Sequence, residues 1–354
     1  MKTKLLLLAM LVIATSLKAQ NSAVTNAILY QRDGNLLKAK QSIDLAVENE
    51  KTKTQAKAWC YKGLIYSDIY KSDKVEVKEL APDALKTSTE SLFKAKELEN
   101  NPNGEFTKLA NDQLQENWVS LVNRGIAYYQ TQRYQDALDM YGLAQKINPS
   151  DTTAYVYGAF AAEGTKDSNL VYKYSDKLLS MNYKSLYVYS NVINHALGKK
   201  DYNSAINLSQ KALKDFPLDK TLLQMRTIAY ADAGKLDEIQ EILKNELKTN
   251  PYNVELLTNL AVVYNYKKDN DKAMEAYNKI IAIEPHNFFA NFNAAVINFE
   301  KGKELSRKND SAGAQALYKK SLDNAKRAKA LATEDSDVDS LNRLINELNT
   351  ILGK

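Results

Sequence analysis

The chain has 354 residues, 44% of them hydrophobic, a length that allows a large buried core. Its formal charge of +5 includes Lys2, Lys4 and Lys18; without residues 1–19, the 48 basic residues become 45 against 43 acidic and the charge falls to +2, which removes the electrostatic case for nucleic acid. A single cysteine, Cys60, excludes an intrachain disulfide, and only 6 Pro and 12 Gly among abundant Ala, Leu, Lys and Glu point to helix nearly throughout.

Residues 1–19 have the form of a secretory signal. Lys2 and Lys4 make a positive start, and LLLLAMLVIA over Leu5 to Ala14 is an apolar run too short to span a bilayer. Ala19 offers a small residue for cleavage before Gln20. The expectation is export, to the periplasm or the cell exterior. No Cys follows the apolar run to carry a lipid anchor, and no second long apolar stretch predicts a membrane span.

Residues 20–117 read as irregular helix pairs. Tyr30, Ala39, Ile43 and Ala46 mark a first pair, and Trp59, Gly63 and Tyr66 begin a second. The second helix of that pair is delayed to residues 82–100 by an insertion at 71–81, KSDKVEVKELA, read as a solvated extension. Residues 104–117 lengthen the first helix of the next pair.

From 118 to 287 the chain repeats with a constant 34-residue period, as five contiguous units. Pro149, Pro217, Pro251 and Pro285 lie in this register. So do Asp151, Ser185, Asp219, Asn253 and Asn287, all residue types that cap helix N-termini. Gly125, Ala159, Ile193, Thr227 and Ala261 form a mostly small column in the first helix of each unit. Ala137, Val171, Ala205, Ile239 and Ala273 recur in the second, with Tyr141, Ser175, Ser209, Leu243 and Tyr277 one turn on. Small residues on both helices permit a close antiparallel approach, which would offset the helix propensity lost at Gly125.

These residues resemble the tetratricopeptide repeat, a 34-residue helix–turn–helix unit. The nearest matches are R-G-x-x-Y…A-x-x-x-Y-x-x-A…P over Arg124 to Pro149 and L-A-x-x-Y…A-x-x-x-Y-x-x-I…P over Leu260 to Pro285. The unit at 152–185 departs most, with Tyr183 in place of proline. The resemblance implies an all-α fold, a right-handed superhelix (α-solenoid) of antiparallel helix pairs. Residues 288–354 complete it as an extended last repeat followed by a C-terminal capping helix, whose apolar stripe is Val338, Leu341, Leu344, Ile345 and Leu348.

The sequence offers no catalytic or metal-binding constellation. Its two histidines, His195 and His286, fall in a repeat helix and a turn, Cys60 reads as a buried apolar residue, and the acidic run at 334–339 reads as a helix start. The prediction is a non-enzymatic chain with no cofactor.

The resemblance implies instead a concave groove, lined by the first helix of each unit, for a protein or peptide segment. By register, one groove column runs Asn123, Tyr157, Asn191, Met225, Asn259, Asn293, and an amide that both donates and accepts suits a peptide backbone. Tyr187, Phe289 and Phe292 add aromatic surface; for the phenylalanines, burial against the last repeat and the capping helix is an equal alternative. The two columns that carry basic carboxylate-gripping residues in chaperone-binding members contain none here. The predicted partner is an uncharged protein or peptide segment, in a cell-envelope complex. The alternative is a glycan held on the aromatic residues, as in an outer-membrane uptake system.

Overall fold

The computed structural model describes residues 23–353, so the expected signal segment at 1–19 lies outside the described residues. Every regular element among them is a helix. The chain divides into two compact units between Tyr183 and Lys184.

The first unit contains α1 (23–32), α2 (Leu36–Glu48), α3 (Ala56–Lys71), the short α4 (Val75–Lys78), α5 (Ala84–Glu99), α6 (Glu105–Gln130), α7 (Tyr134–Ile147), α8 (Thr153–Gly164) and α9 (Ser168–Ser180). The second contains α10 (Leu186–Gly198), α11 (Tyr202–Asp215), α12 (Lys220–Asp232), α13 (Leu236–Thr249), α14 (Val254–Tyr266), α15 (Asn270–Ile283), α16 (Phe288–Arg307), α17 (Ser311–Lys329) and α18 (Asp335–Ile351).

The turns explain how one sequence interval builds so many hairpins. Gln132, Lys166, Lys200, Gly234 and Lys268 hold the same place in successive repeats, and all five have positive φ, between 57° and 73°. Each follows the first helix of a pair and reverses the chain. The next residue then begins the second helix: Asp167, Asp201 and Asp269 accept hydrogen bonds from backbone N–H groups of α9, α11 and α15. Arg133 and Lys235 hold the same place without a side-chain cap.

At the starts of first helices, Asp219, Asn253 and Asn287 cap α12, α14 and α16 as their register predicts. Ser185 precedes α10 without a side-chain bond, and Asp151 bonds Thr153 N from one place further out, because Thr152 is the cap residue of α8.

In the first unit, several polar groups between helices are satisfied locally. Asp44 of α2 accepts from Lys40, from Lys62 and from the Tyr66 hydroxyl of α3 at 2.9–3.0 Å. Burial works against its charge, yet these donors hold its carboxyl below the usual range. Further along, the buried Asn117 amide donates to Ser88 and Thr89 of α5, and Ser88 donates to the carbonyl of Gly63 in α3. This ties three helices through groups that would be costly to bury alone. Glu99 bonds the N–H groups of Phe106 and Thr107, capping α6 where Gly104 has no side chain to do so.

In the second unit, Arg226 of α12, only 4% exposed, makes two parallel bonds of 2.6 and 2.7 Å to Glu246 of α13. Asn265 of α14 donates to the Tyr277 hydroxyl of α15. Between α16 and α17, Asn324 bonds both Asn291 and Asn298, while Ser321 donates to the Ala295 carbonyl. Helix α18 covers this end with Leu341 and Leu348 fully buried, flanked by Leu344 and Ile345.

Candidate functional site

A groove in the second unit is formed by three successive first helices, α12, α14 and α16. Lys220, Gln224 and Ile228 follow one another at four-residue steps along α12, and so occupy one face. Val254, Thr258 and Val262 stand one repeat later at the same places on α14, with Tyr266 one turn beyond. Asn287 and Phe289 at the start of α16 close the end. The enclosed volume is about 350 Å³.

Its chemistry is neutral. Gln224, Thr258 and Asn287 supply hydrogen-bonding groups; Ile228, Val262, Tyr266 and Phe289 supply apolar and aromatic surface. The charged pair at the mouth, Lys220 and Glu255, is 3.6 Å apart and well exposed on the lysine side, so it contributes little to stability. Phe289 packs edge-on against Tyr277 at 5.8 Å and is 37% exposed; Tyr266 is 50% exposed.

Of the residues singled out by sequence, Asn259 and Phe289 line this groove. Asn259 is 5% exposed, and its amide N–H donates to the carbonyl of Glu255, one turn back in its own helix. Asn293, the next member of the column, does the same with Phe289. Part of the amide capacity that suited these residues to a peptide is therefore used inside α14 and α16. Phe292 packs against Phe288 at 5.8 Å in the apolar cluster beneath α18. Asn191 and Tyr187 lie half-buried on α10.

In the first unit, Asn123 is exposed on α6, and Tyr157 is half-buried, stacked on Tyr141 at 6.0 Å. Sequence reasoning did not single out Ile228, Val262 and Tyr266. For Ile228 and Val262 the signal was present as an apolar column in the repeat register, one turn beyond Gln224 and Thr258.

Cys60 is fully buried, and burial, with Glu99 and Glu105 nearby, pushes its thiol up to about 12, far from the reactive range. Among the described residues, no group of three His, Cys, Asp or Glu could hold a metal ion, and no helix is long and apolar enough to cross a membrane.

Comparison with known proteins agrees with this architecture. The tetratricopeptide repeat profile matches residues 254–287, which contain α14 and α15. The TPR repeat-containing protein YpiA of Bacillus subtilis (strain 168) is 26% identical over 148 residues, 42% of this chain and 34% of the relative. The BBSome complex member BBS4 of Bos taurus is 23% identical over 200 residues, 56% of this chain and 38% of the relative. The chain thus spans little more than a third of the length of these curated relatives. Among solved structures, YrrB, a TPR protein with an unusual peptide-binding site, is 21% identical and covers 53% of this chain and 96% of its own, with a TM-score of 0.40. The profile match, the recurrence of one turn and one cap in repeat after repeat, and the tetratricopeptide relative identify this chain as a tetratricopeptide-repeat protein, an all-helical scaffold of the kind that mediates protein–protein interaction.

Proposed function

We propose that this protein is a non-enzymatic adaptor that holds an extended, uncharged segment of a partner protein in the groove of α12, α14 and α16. One observation carries the reading: neutral hydrogen-bonding side chains, Gln224, Thr258 and Asn287, alternate there with the apolar Ile228, Val262 and Phe289. An extended polypeptide presents backbone donors and acceptors together with side chains that alternate in direction. Amides and a hydroxyl satisfy the first, and apolar surface takes the second. The adaptor acts outside the cytosol; this part of the proposal rests on Lys2, Lys4 and the apolar run from Leu5 to Ala14.

Site-specific photocrosslinking in the producing cells tests the reading. A benzophenone side chain at Thr258 is expected to capture a discrete set of cell-envelope proteins that the same group at the exposed Lys279 of α15 does not. Equal capture at both positions would count against the groove. N-terminal sequencing of the recovered protein tests export, with Gln20 the expected first residue.

A second reading is favoured by the two exposed rings at the groove, Tyr266 and Phe289, which could stack on sugar rings. Glycan-array binding that is lost in Phe289→Ala would favour it over the peptide reading.

A further inference from the structure

The insertion at 71–81 lines a cavity within the first unit. Its helix α4 and the residues after it stand beside α5, α6 and α7, and enclose about 580 Å³. Tyr70, Val75, Leu85 and Met140 supply apolar wall, and Arg124 of α6 reaches the same space.

Arg124 is exposed, and its guanidinium lies over an aromatic ring. Its guanidinium lies 4.7 Å from the centre of the Tyr128 ring, and the guanidinium of Arg133 lies 4.3 Å from that same centre. The charge of Arg133 is met by Asp136 at 2.7 Å. Among the described residues, no carboxylate lies within ion-pair distance of Arg124. The repeat register makes this lack specific. The residue equivalent to Arg124 in the repeat containing α12 is Arg226, which is bound by Glu246; the place equivalent to Glu246 is occupied here by Ala144. Two further cations, Lys78 and Lys86, line the cavity against Glu79 and Asp83, leaving a net positive charge.

A planar guanidinium fixed by ring stacking beside apolar surface is suited to a carboxylate, which it can grip with two parallel N–H donors. We infer that this cavity, roofed by the insertion, is a second binding site, for an acidic side chain of a partner polypeptide next to an apolar residue that fills the space between Tyr70, Leu85 and Met140. The acidic side chain takes the place that Glu246 fills beside Arg226. The site differs from the groove in chemistry, since the groove has no unpaired cation to offer.

The test is selection of a phage-displayed random dodecapeptide library on the full chain, followed by affinity measurement with synthetic winners capped at both ends. Winners are expected to carry Asp or Glu beside Leu, Ile, Met or Phe. Changing that acid to its amide should weaken binding at least tenfold, and so should Arg124→Gln in the protein. Arg124→Lys should lose less, and Thr258→Arg, which fills the groove, should bind as the unaltered chain does. Thermal melts of each variant separate loss of the site from loss of the fold. A winning pool no richer in acids than the input library, or an Arg124→Gln affinity within twofold of the original, would overturn the inference. So would binding that requires a free C-terminal carboxylate, or an Arg124→Gln variant whose only change is a lost self-association by sedimentation, which would give the face to a second copy of this chain.

Discussion

The ring of Tyr141 in α7 lies directly against the bare Cα of Gly125 in α6. A Cβ added to Gly125 would overlap the Cε1 edge of that fully buried ring. Gly158 and Tyr174, and Gly302 and Tyr318, repeat the arrangement with built contacts of 2.6 and 2.7 Å. The small residue thus makes room for a ring in the second helix, where small-on-small contact with Ala137 was the simpler expectation. Gly125→Ala gains about 1 kcal/mol of helix propensity but must move Tyr141, so a net loss of about 1–3 kcal/mol is expected. Gly142→Ala, in α7 with nothing within 4 Å of the new atom, should gain about 0.5–1 kcal/mol. Urea denaturation of the two variants checks the opposite signs.

The turn column offers a second test. Lys166, Lys200 and Lys268 adopt the left-handed backbone that Gly234 adopts at the same place in its own repeat. A side chain in this region costs about 1–2 kcal/mol, partly offset because glycine loses more freedom on folding. Lys200→Gly should therefore raise stability by about 0.5–1 kcal/mol, whereas Gly234→Lys should lower it by a similar amount. Thermal melts that moved the other way would remove the backbone explanation for the turn.

Arg226 and Glu246 should show the asymmetry of buried ion pairs. Glu246→Ala leaves a guanidinium that is 4% exposed without its carboxylate, and about 3 kcal/mol of stability should be lost. Arg226→Met, which removes the buried charge and keeps apolar bulk, should cost less than about 1 kcal/mol. Equal losses in the two variants would mean that the pair's attraction, not the stranded charge, dominates.

Buried tyrosines set the alkaline limit. Burial, then the bond to Asp44, pushes the Tyr66 hydroxyl up to about 12; burial does the same for Tyr277, against a bond from Asn265. An unfolded tyrosine releases its proton near pH 10, so between pH 10 and 12 the unfolded chain loses protons that the folded chain keeps. Stability is therefore complete below pH 10 and falls as pH rises towards 12. The urea midpoint should drop across this window, and less steeply in Tyr277→Phe. A flat midpoint to pH 11.5 would contradict the assignment.

Much of the fold was legible because its punctuation is chemical and periodic. Prolines, capping residues and small residues recur in register from repeat to repeat, and each has a local reason to stand where it does. The left-handed turn was harder to see, since four of its five places hold Gln or Lys, whose φ is imposed by the hairpin and not by their own preference. The groove was legible only in part. Asn259 and Phe289, placed together by register, both line the cavity of α12, α14 and α16, yet register could not reveal that Asn259 spends an amide hydrogen on Glu255. For Phe292 the sequence left groove and burial equally open, and packing decides for the cluster under α18. The cavity beside α4 was invisible as a site, because the insertion that forms it matches no repeat position.

The groove of α12, α14 and α16 is proposed to hold an extended partner segment. Its most direct test is the affinity of the full chain and of Thr258→Arg for the segment captured by crosslinking at Thr258. With helicity unchanged, the arginine should fill the groove and weaken binding at least tenfold. Affinity within twofold of the unaltered protein would contradict the account.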